Sequence, residues 1–166
     1  MDLVKGLTIR KAGTEDCSSV MDLLKESAQW MKDNGIQQWR FLLAGGDDEE
    51  IEQAIVNGDT YIVLDNDKAA ATFTLLSKQS EWDKKMWGED STFPSVYLHR
   101  LALSPLYMNK GVGRELLGWM QHHLDGTEYL RLDCVADNFK LNAFYRNNGF
   151  ELVGFEDGHS RYQMRL

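Results

Sequence analysis

Cysteine is scarce in this chain of 166 residues: Cys17 and Cys134 stand alone, far apart and in unlike surroundings. That excludes a disulfide framework and any closely spaced cysteine metal motif. Proline is as rare, at Pro94 and Pro105 only, so no linker announces a second domain, and no repeat is visible. A single domain over residues 1–166 is expected. No run approaches eighteen apolar residues, and "MDLVKGLTIRK" lacks an apolar targeting core, so a soluble, cytoplasmic protein with no membrane partner is expected. Positive charge is short too. With 18 basic against 26 acidic residues the net charge is −8, which argues against nucleic-acid binding. Such a surface is ordinarily just solvated, although it also suits cationic small molecules.

The hydrophobic fraction of 43% is enough for a real core. "GLTIRKA" alternates as a strand; Thr14 is placed to cap a helix carrying Val20, Leu23, Leu24, Ala28 and Met31 at helical spacing, stopped by Asn34-Gly35. A second short helix runs from Asp47 to Asn57-Gly58. "TYIVLD" and "AAATFTLL" form a hairpin through Asn66-Asp67. Residues 77–95 read as a polar excursion with interspersed aromatics. Then follow the strand "SVYLHRLALS", a helix with Val112, Leu116, Leu117 and Met120 on one face, the strand "YLRLDCV", the helix "NFKLNAFYRNN", and two closing strands. This order predicts an α/β fold around a mixed sheet, antiparallel early and with a late crossover.

In "SPLYMNKGVGRELLGWM", two glycines open a helix they would otherwise weaken. Backbone amides at a helix start lack intrahelical acceptors and favour an anion, and glycine keeps Cβ atoms clear of it. Residues Asn109, Lys110, Gly111, Val112, Gly113 and Arg114 could hold a phosphate in this way. Tight packing of the helix on the sheet would equally explain the glycines. A P-loop fits worse because no Lys-Ser/Thr pair follows, and a dinucleotide fingerprint because Leu116 stands where its third glycine belongs, which leaves a nucleotide-dependent dehydrogenase a distant third reading.

"LHRLALSPLYMNKGVGRELLGWM" followed by "LRLDCVADNFKLNAFYRNNGFELVGF" resembles the GNAT family of N-acetyltransferases. Leu101-Ala102-Leu103-Ser104-Pro105 and Met108-Asn109-Lys110-Gly111-Val112-Gly113 match its first signature; Asn138, Tyr145, Gly149 and Phe150 match its second. Met108 departs from the usual Arg or Gln, which removes a side chain but no amide. The resemblance implies a mostly antiparallel sheet flanked by helices, with a splayed strand pair that holds the cofactor. It implies acetyl-CoA as donor, with the pyrophosphate of coenzyme A on residues 109–114, the pantetheine arm along Leu101, Ala102 and Leu103, and a contact from Asn138, a residue equally suited to cap its helix. Tyr145 would protonate the leaving thiolate. The acceptor would be an amine of a small molecule or peptide, and a homodimer is compatible with the family. A non-catalytic acyl-CoA-binding module is the alternative.

A base is also needed. His99 qualifies by its ordinary pKa of about 6.5, although a packed strand histidine is the plainer reading; Glu81 and Asp83 are weaker candidates. Trp39, Glu81, Trp82 and Tyr97 are candidate acceptor contacts, with Trp87 and Glu89 nearby in sequence. His122 and His123 read as surface residues. His159 falls in a turn, and no histidine pair has metal-ligand spacing with carboxylates, so no metal is expected.

Overall fold

Alternating runs become strands and helical-period runs become helices in the computed structural model, which describes residues 2–4, 6–36, 38–89 and 93–166. In chain order the elements are β1 (Asp2–Val4), β2 (Leu7–Lys11), α1 (Cys17–Asp33), α2 (Arg40–Leu43), α3 (Asp48–Val56), β3 (Thr60–Asp65), β4 (Lys68–Leu76), α4 (Glu81–Trp87), β5 (Ser95–Leu103), α5 (Val112–His123), β6 (Tyr129–Val135), α6 (Phe139–Asn147), β7 (Glu151–Glu156) and β8 (His159–Arg165). The chain divides into two compact units, one of Met1–Thr74 with Arg100–Trp119 and the other of Leu75–His99 with Met120–Leu166.

In the first unit β1, β2, β3 and β4 pair in sequence order, each antiparallel to the next, with Ile9 opposite Val63 and Ile62 opposite Thr72. Asn66 makes the β3–β4 turn with φ 56°, a left-handed conformation that asparagine tolerates. The apolar stripe of α1 supplies Val20, Leu24 and Ala28 to a core that also holds Leu42, Ile51, Ile55, Ile62 and Ala102. Burying each larger aliphatic side chain there contributes about 1.5–3 kcal/mol. Thr14 does not cap α1. It begins a short 3-10 turn, Thr14–Asp16, and Asp16 organises the helix entry instead. The Asp16 carboxylate accepts the Gly13 N–H at 2.8 Å and binds Arg10 at 2.6 and 2.9 Å, which holds it below the usual carboxylate range.

In the second unit β5 pairs in parallel with β6, Ser95–Tyr97 against Tyr129–Arg131. The chain between these strands carries α5, the crossover that a parallel pair requires. β6 pairs antiparallel with β8, and β8 with β7. The pairings described are thus mixed and mostly antiparallel, as expected. Alternation along β6 separates buried Leu130, Leu132 and Cys134 from Arg131 and Asp133. α6 meets the apolar side: Tyr162 donates to Asn142 at 2.7 Å, and the Tyr145 ring lies 6.0 Å from that of Tyr162. α4 meets the polar side. The excursion at 77–95 therefore contains a helix, started by a capping box in which Ser80 Oγ accepts from Asp83 N–H and Asp83 Oδ2 accepts from Ser80 N–H, each at 3.1 Å. Of that excursion residues 90–92, and of the Gly35–Trp39 segment Gln37, lie outside the described residues.

Candidate active site

The loop before α5 is built by three local ties in the first unit. Ser104 N–H donates to the Ala70 carbonyl at 2.9 Å, residues Pro105–Tyr107 form a 3-10 turn, and Tyr107 donates to Asp65 at 2.7 Å. Asn109 (φ 60°) and Gly111 (φ 80°) then turn through the left-handed region, which costs a non-glycine residue about 1–2 kcal/mol. The first backbone bond closing onto the helix is Glu115 N–H to the Gly111 carbonyl, at 3.1 Å. Residues 108–111 form a turn ahead of the helix. Asn109, Lys110, Gly111 and Arg114 are exposed, while Val112 is buried and anchors the helix start.

The end of β5 lies in the same unit. Ala102 is in the core, Leu101 and Leu103 are half-buried, and Ser27 of α1 donates to the Leu103 carbonyl at 3.1 Å. Arg100 carries φ 52°, and its guanidinium reaches Glu50 at 3.0 Å and Asp47 at 3.4 Å. Trp39, also in this unit, has φ 62° and packs half-buried against the core.

In the second unit Asn138 caps α6, its Oδ1 accepting the Leu141 N–H at 3.1 Å. Tyr145, about two turns further on, is 6% exposed, with the rings of Phe144 at 5.2 Å and Phe150 at 5.6 Å. Burial, with smaller contributions from Cys134 and Asp133, raises its phenol well above the usual 10, so the hydroxyl stays protonated. Burial likewise pushes the Cys134 thiol up to about 12, which leaves it an inert packing residue.

The polar side of the same sheet gathers ionisable groups. His99 Nε2 is hydrogen-bonded with Asp83 Oδ2 at 3.1 Å, and Oδ1 approaches to 2.9 Å without the alignment of a hydrogen bond. Trp82 Nε1 donates to both oxygens of Asp133, at 3.0 and 3.1 Å. His159 Nδ1 comes within 3.0 Å of Asp133 Oδ2, and its ring meets Trp82 edge-on at 5.0 Å. Burial raises the Asp133 carboxyl above its ordinary range; the Trp82 hydrogen bond and the two imidazoles oppose the rise. Tyr97 is buried, with its hydroxyl bound by Gln79 at 3.1 Å and Arg131 at 3.2 Å. Glu81 is 94% exposed and reaches only Lys84, at 3.4 Å.

Among the sequence-derived candidates, the structure thus places His99, Tyr97 and Trp82 together on one side of the second unit and Asn138 and Tyr145 on its other side. Glu81 points to solvent. Sequence reasoning missed Asp133 and put His159 in a turn, whereas it is the first residue of β8, opposite Val135 of β6. The available signal for Asp133 was alternation: in Leu130-Arg131-Leu132-Asp133 every second residue is charged, so one side of an apolar strand had to meet something polar. Among the described residues, no three His, Cys, Asp or Glu side chains are grouped so as to hold a metal ion. No described helix is long and apolar enough to cross a membrane.

The described chain is a mixed, mostly antiparallel α/β protein with a left-handed turn at Asn109 and Gly111 leading into α5. Comparison makes its class specific. The model of the acetyltransferase (GNAT) family matches residues 36–150, and the chain belongs to this family. It is 39% identical over 142 residues to the uncharacterized N-acetyltransferase YesJ of Bacillus subtilis strain 168, covering 84% of this chain and 79% of that protein. A GNAT-family acetyltransferase of Listeria monocytogenes 4b F2365 superposes with a TM-score of 0.85 at 26% identity, covering 99% of each chain. The PaiA N-acetyltransferase of Thermoplasma acidophilum, solved in complex with coenzyme A, has a TM-score of 0.77 at 20% identity, over 96% of this chain and 99% of that one.

Proposed function

We propose that the protein is an acetyl-CoA-dependent N-acetyltransferase acting on a primary amine of a small molecule or peptide, in the cytoplasm, as one catalytic domain. The observation that carries this reading is the left-handed turn at Asn109 and Gly111 that opens α5, which coincides with the family's pyrophosphate signature. The backbone amides at that helix start would replace the water around a diphosphate without requiring a cationic side chain, so Met108 in place of Arg or Gln is tolerated. Lys110 and Arg114 add charge at the rim.

Bound acetyl-CoA would supply a thioester whose acetyl group passes to the nitrogen of an acceptor that arrives as its ammonium ion, with release of the thiol and one proton. Leu101–Leu103 would pair through their backbone with the pantetheine arm, and Asn138 would touch it beside its capping bond. His99 would take the proton from the amine. Tyr145 would hold a proton at the leaving sulfur. Its burial keeps it a donor but makes it a reluctant acid towards a thiolate whose thiol has a pKa of about 8.5, so it acts mainly through a hydrogen bond to the developing charge.

The test is thiol release from acetyl-CoA with a panel of polyamines, amino acids, aminoglycosides and peptides, beside calorimetric binding of coenzyme A. Transfer to one class, together with at least a tenfold loss of coenzyme A affinity in Gly113→Asp, is the expected result. Tight coenzyme A binding with no transfer to any acceptor would favour an acyl-CoA-binding module. No binding would overturn both.

A further inference from the structure

Two histidine–carboxylate contacts lie on the polar side of the second unit, and the first turn of α4 touches both: Trp82 holds Asp133, and Asp83 meets His99. The second contact has a consequence for proton transfer. We propose that Asp83 is a positioning residue that fixes His99 in its Nε2-protonated tautomer and so makes Nδ1 the atom that accepts the proton of the acceptor's amine. The inference rests on His99 being the base of the transferase.

Asp83 is 1% exposed, and its carboxylate is rigidly held. Oδ2 accepts the Ser80 N–H at 3.1 Å, and Ser80 Oγ accepts the Asp83 N–H at the same distance, so the helix cap and the carboxylate orientation form one unit. An ionised carboxylate only accepts hydrogen bonds. Nε2, at 3.1 Å from Oδ2, must therefore carry the proton, and the lone pair falls to Nδ1. Nδ1 makes no hydrogen bond among the described residues, and the side chain is 17% exposed. When Nδ1 takes a proton from an ammonium group, the imidazolium keeps its Nε2–H on Asp83, which stabilises the cation as it forms; the proton then leaves Nδ1 for water. Asp133, held by Trp82 and flanked by His159, adds a second negative charge acting on His99.

Asp83→Asn separates position from charge. With its oxygen at the Oδ2 position the amide still accepts both the Ser80 N–H and Nε2–H, so the tautomer is kept while the negative charge is lost; Asp83→Ala removes the acceptor and releases the tautomer. The chain has four histidines, so His99→Gln assigns the His99 signals in a nitrogen-15 histidine correlation spectrum at pH 8. Nε2–H is expected in the wild type and in Asp83→Asn, and both tautomers in Asp83→Ala, where kcat/KM for the acceptor that the panel identifies should fall about 10²–10⁴-fold. Adding Asp83→Ala to His99→Gln should cost little more. Ser80→Ala, which removes the cap and spares the carboxylate, should keep Nε2–H and most of the activity. A wild type with its proton on Nδ1, or a folded Asp83→Ala that keeps Nε2–H alone, overturns the proposal; if Asp83→Ala does not fold, the wild-type tautomer decides. Absence of transferase activity with Nε2–H present would instead sink the proposed reaction and leave the pairing standing.

Discussion

The two sides of β6 differ in what burial does to an acid. On one side Leu130, Leu132 and Cys134 face α6, and the phenol of Tyr145 sits among rings; on the other, Asp133 lies under the indole of Trp82. Loss of water raises both acids. For the phenol this preserves the state already present at neutral pH, so the dry side stores a proton donor at no ionic cost. For the carboxyl it opposes the state that neutral pH demands, and part of the cost is recovered from the Trp82 N–H and the nearby imidazoles. One strand thus separates a donor that needs dryness from a charged network that needs partners.

The comparison breaks most visibly at Tyr145. If the phenol serves the leaving sulfur, Tyr145→Phe should lower turnover about 10²–10³-fold at saturating substrates and leave coenzyme A affinity nearly intact. The ring contacts survive this change, so the melting temperature should scarcely move. Equal turnover in the two proteins would reduce Tyr145 to a wall of the apolar side.

Tyr145 was legible in the sequence because its evidence is local: a tyrosine at fixed spacing from Asn138 and Gly149-Phe150. So was the loop at 109–114, where glycine spacing and the helical period of Val112, Leu116, Leu117 and Met120 lie in one continuous stretch. The polar network was not. Trp82 meets Asp133 across 51 residues, and His99 finds Asp83 only because α4 forms. The Ser80–Asp83 capping box was written in the chain but obscured by the polar, aromatic-dotted composition around it. At Thr14 a plausible cap yielded to Asp16, since Arg10 on a neighbouring strand gives that carboxylate the stronger bond.

On the apolar side a smaller effect is expected where one polar pair is sealed in. Tyr162 is wholly buried and donates to Asn142 Oδ1 at 2.7 Å, while Asn142 Nδ2 donates to the Asn138 carbonyl at 2.8 Å. Tyr162→Phe strands that oxygen without a donor and should cost about 1–3 kcal/mol in urea unfolding, with an unchanged m-value. A loss below about 0.5 kcal/mol would mean that this side admits water and is less dry than its composition suggests.

The smallest effect, and the one that speaks to the other side, is a pH trend at Asp133. Its folded-state pKa lies above the unfolded value of about 3.9, so between these two pH values the folded chain holds a proton that the unfolded chain has released. Stability from this group is therefore greatest at low pH and declines as pH rises through the folded-state pKa. Asp133→Asn removes that titration and keeps an oxygen for the Trp82 N–H. Relative to the wild type, the variant should gain stability as pH is raised from 4, then level off, with the lost contact to His159 reducing the gain. Melting temperatures from pH 4 to 8 read this difference directly. A variant that instead loses ground as pH rises would show that attraction to His159 and His99 outweighs burial, and the polar side of β6 would then be stabilised by its charge rather than taxed by it.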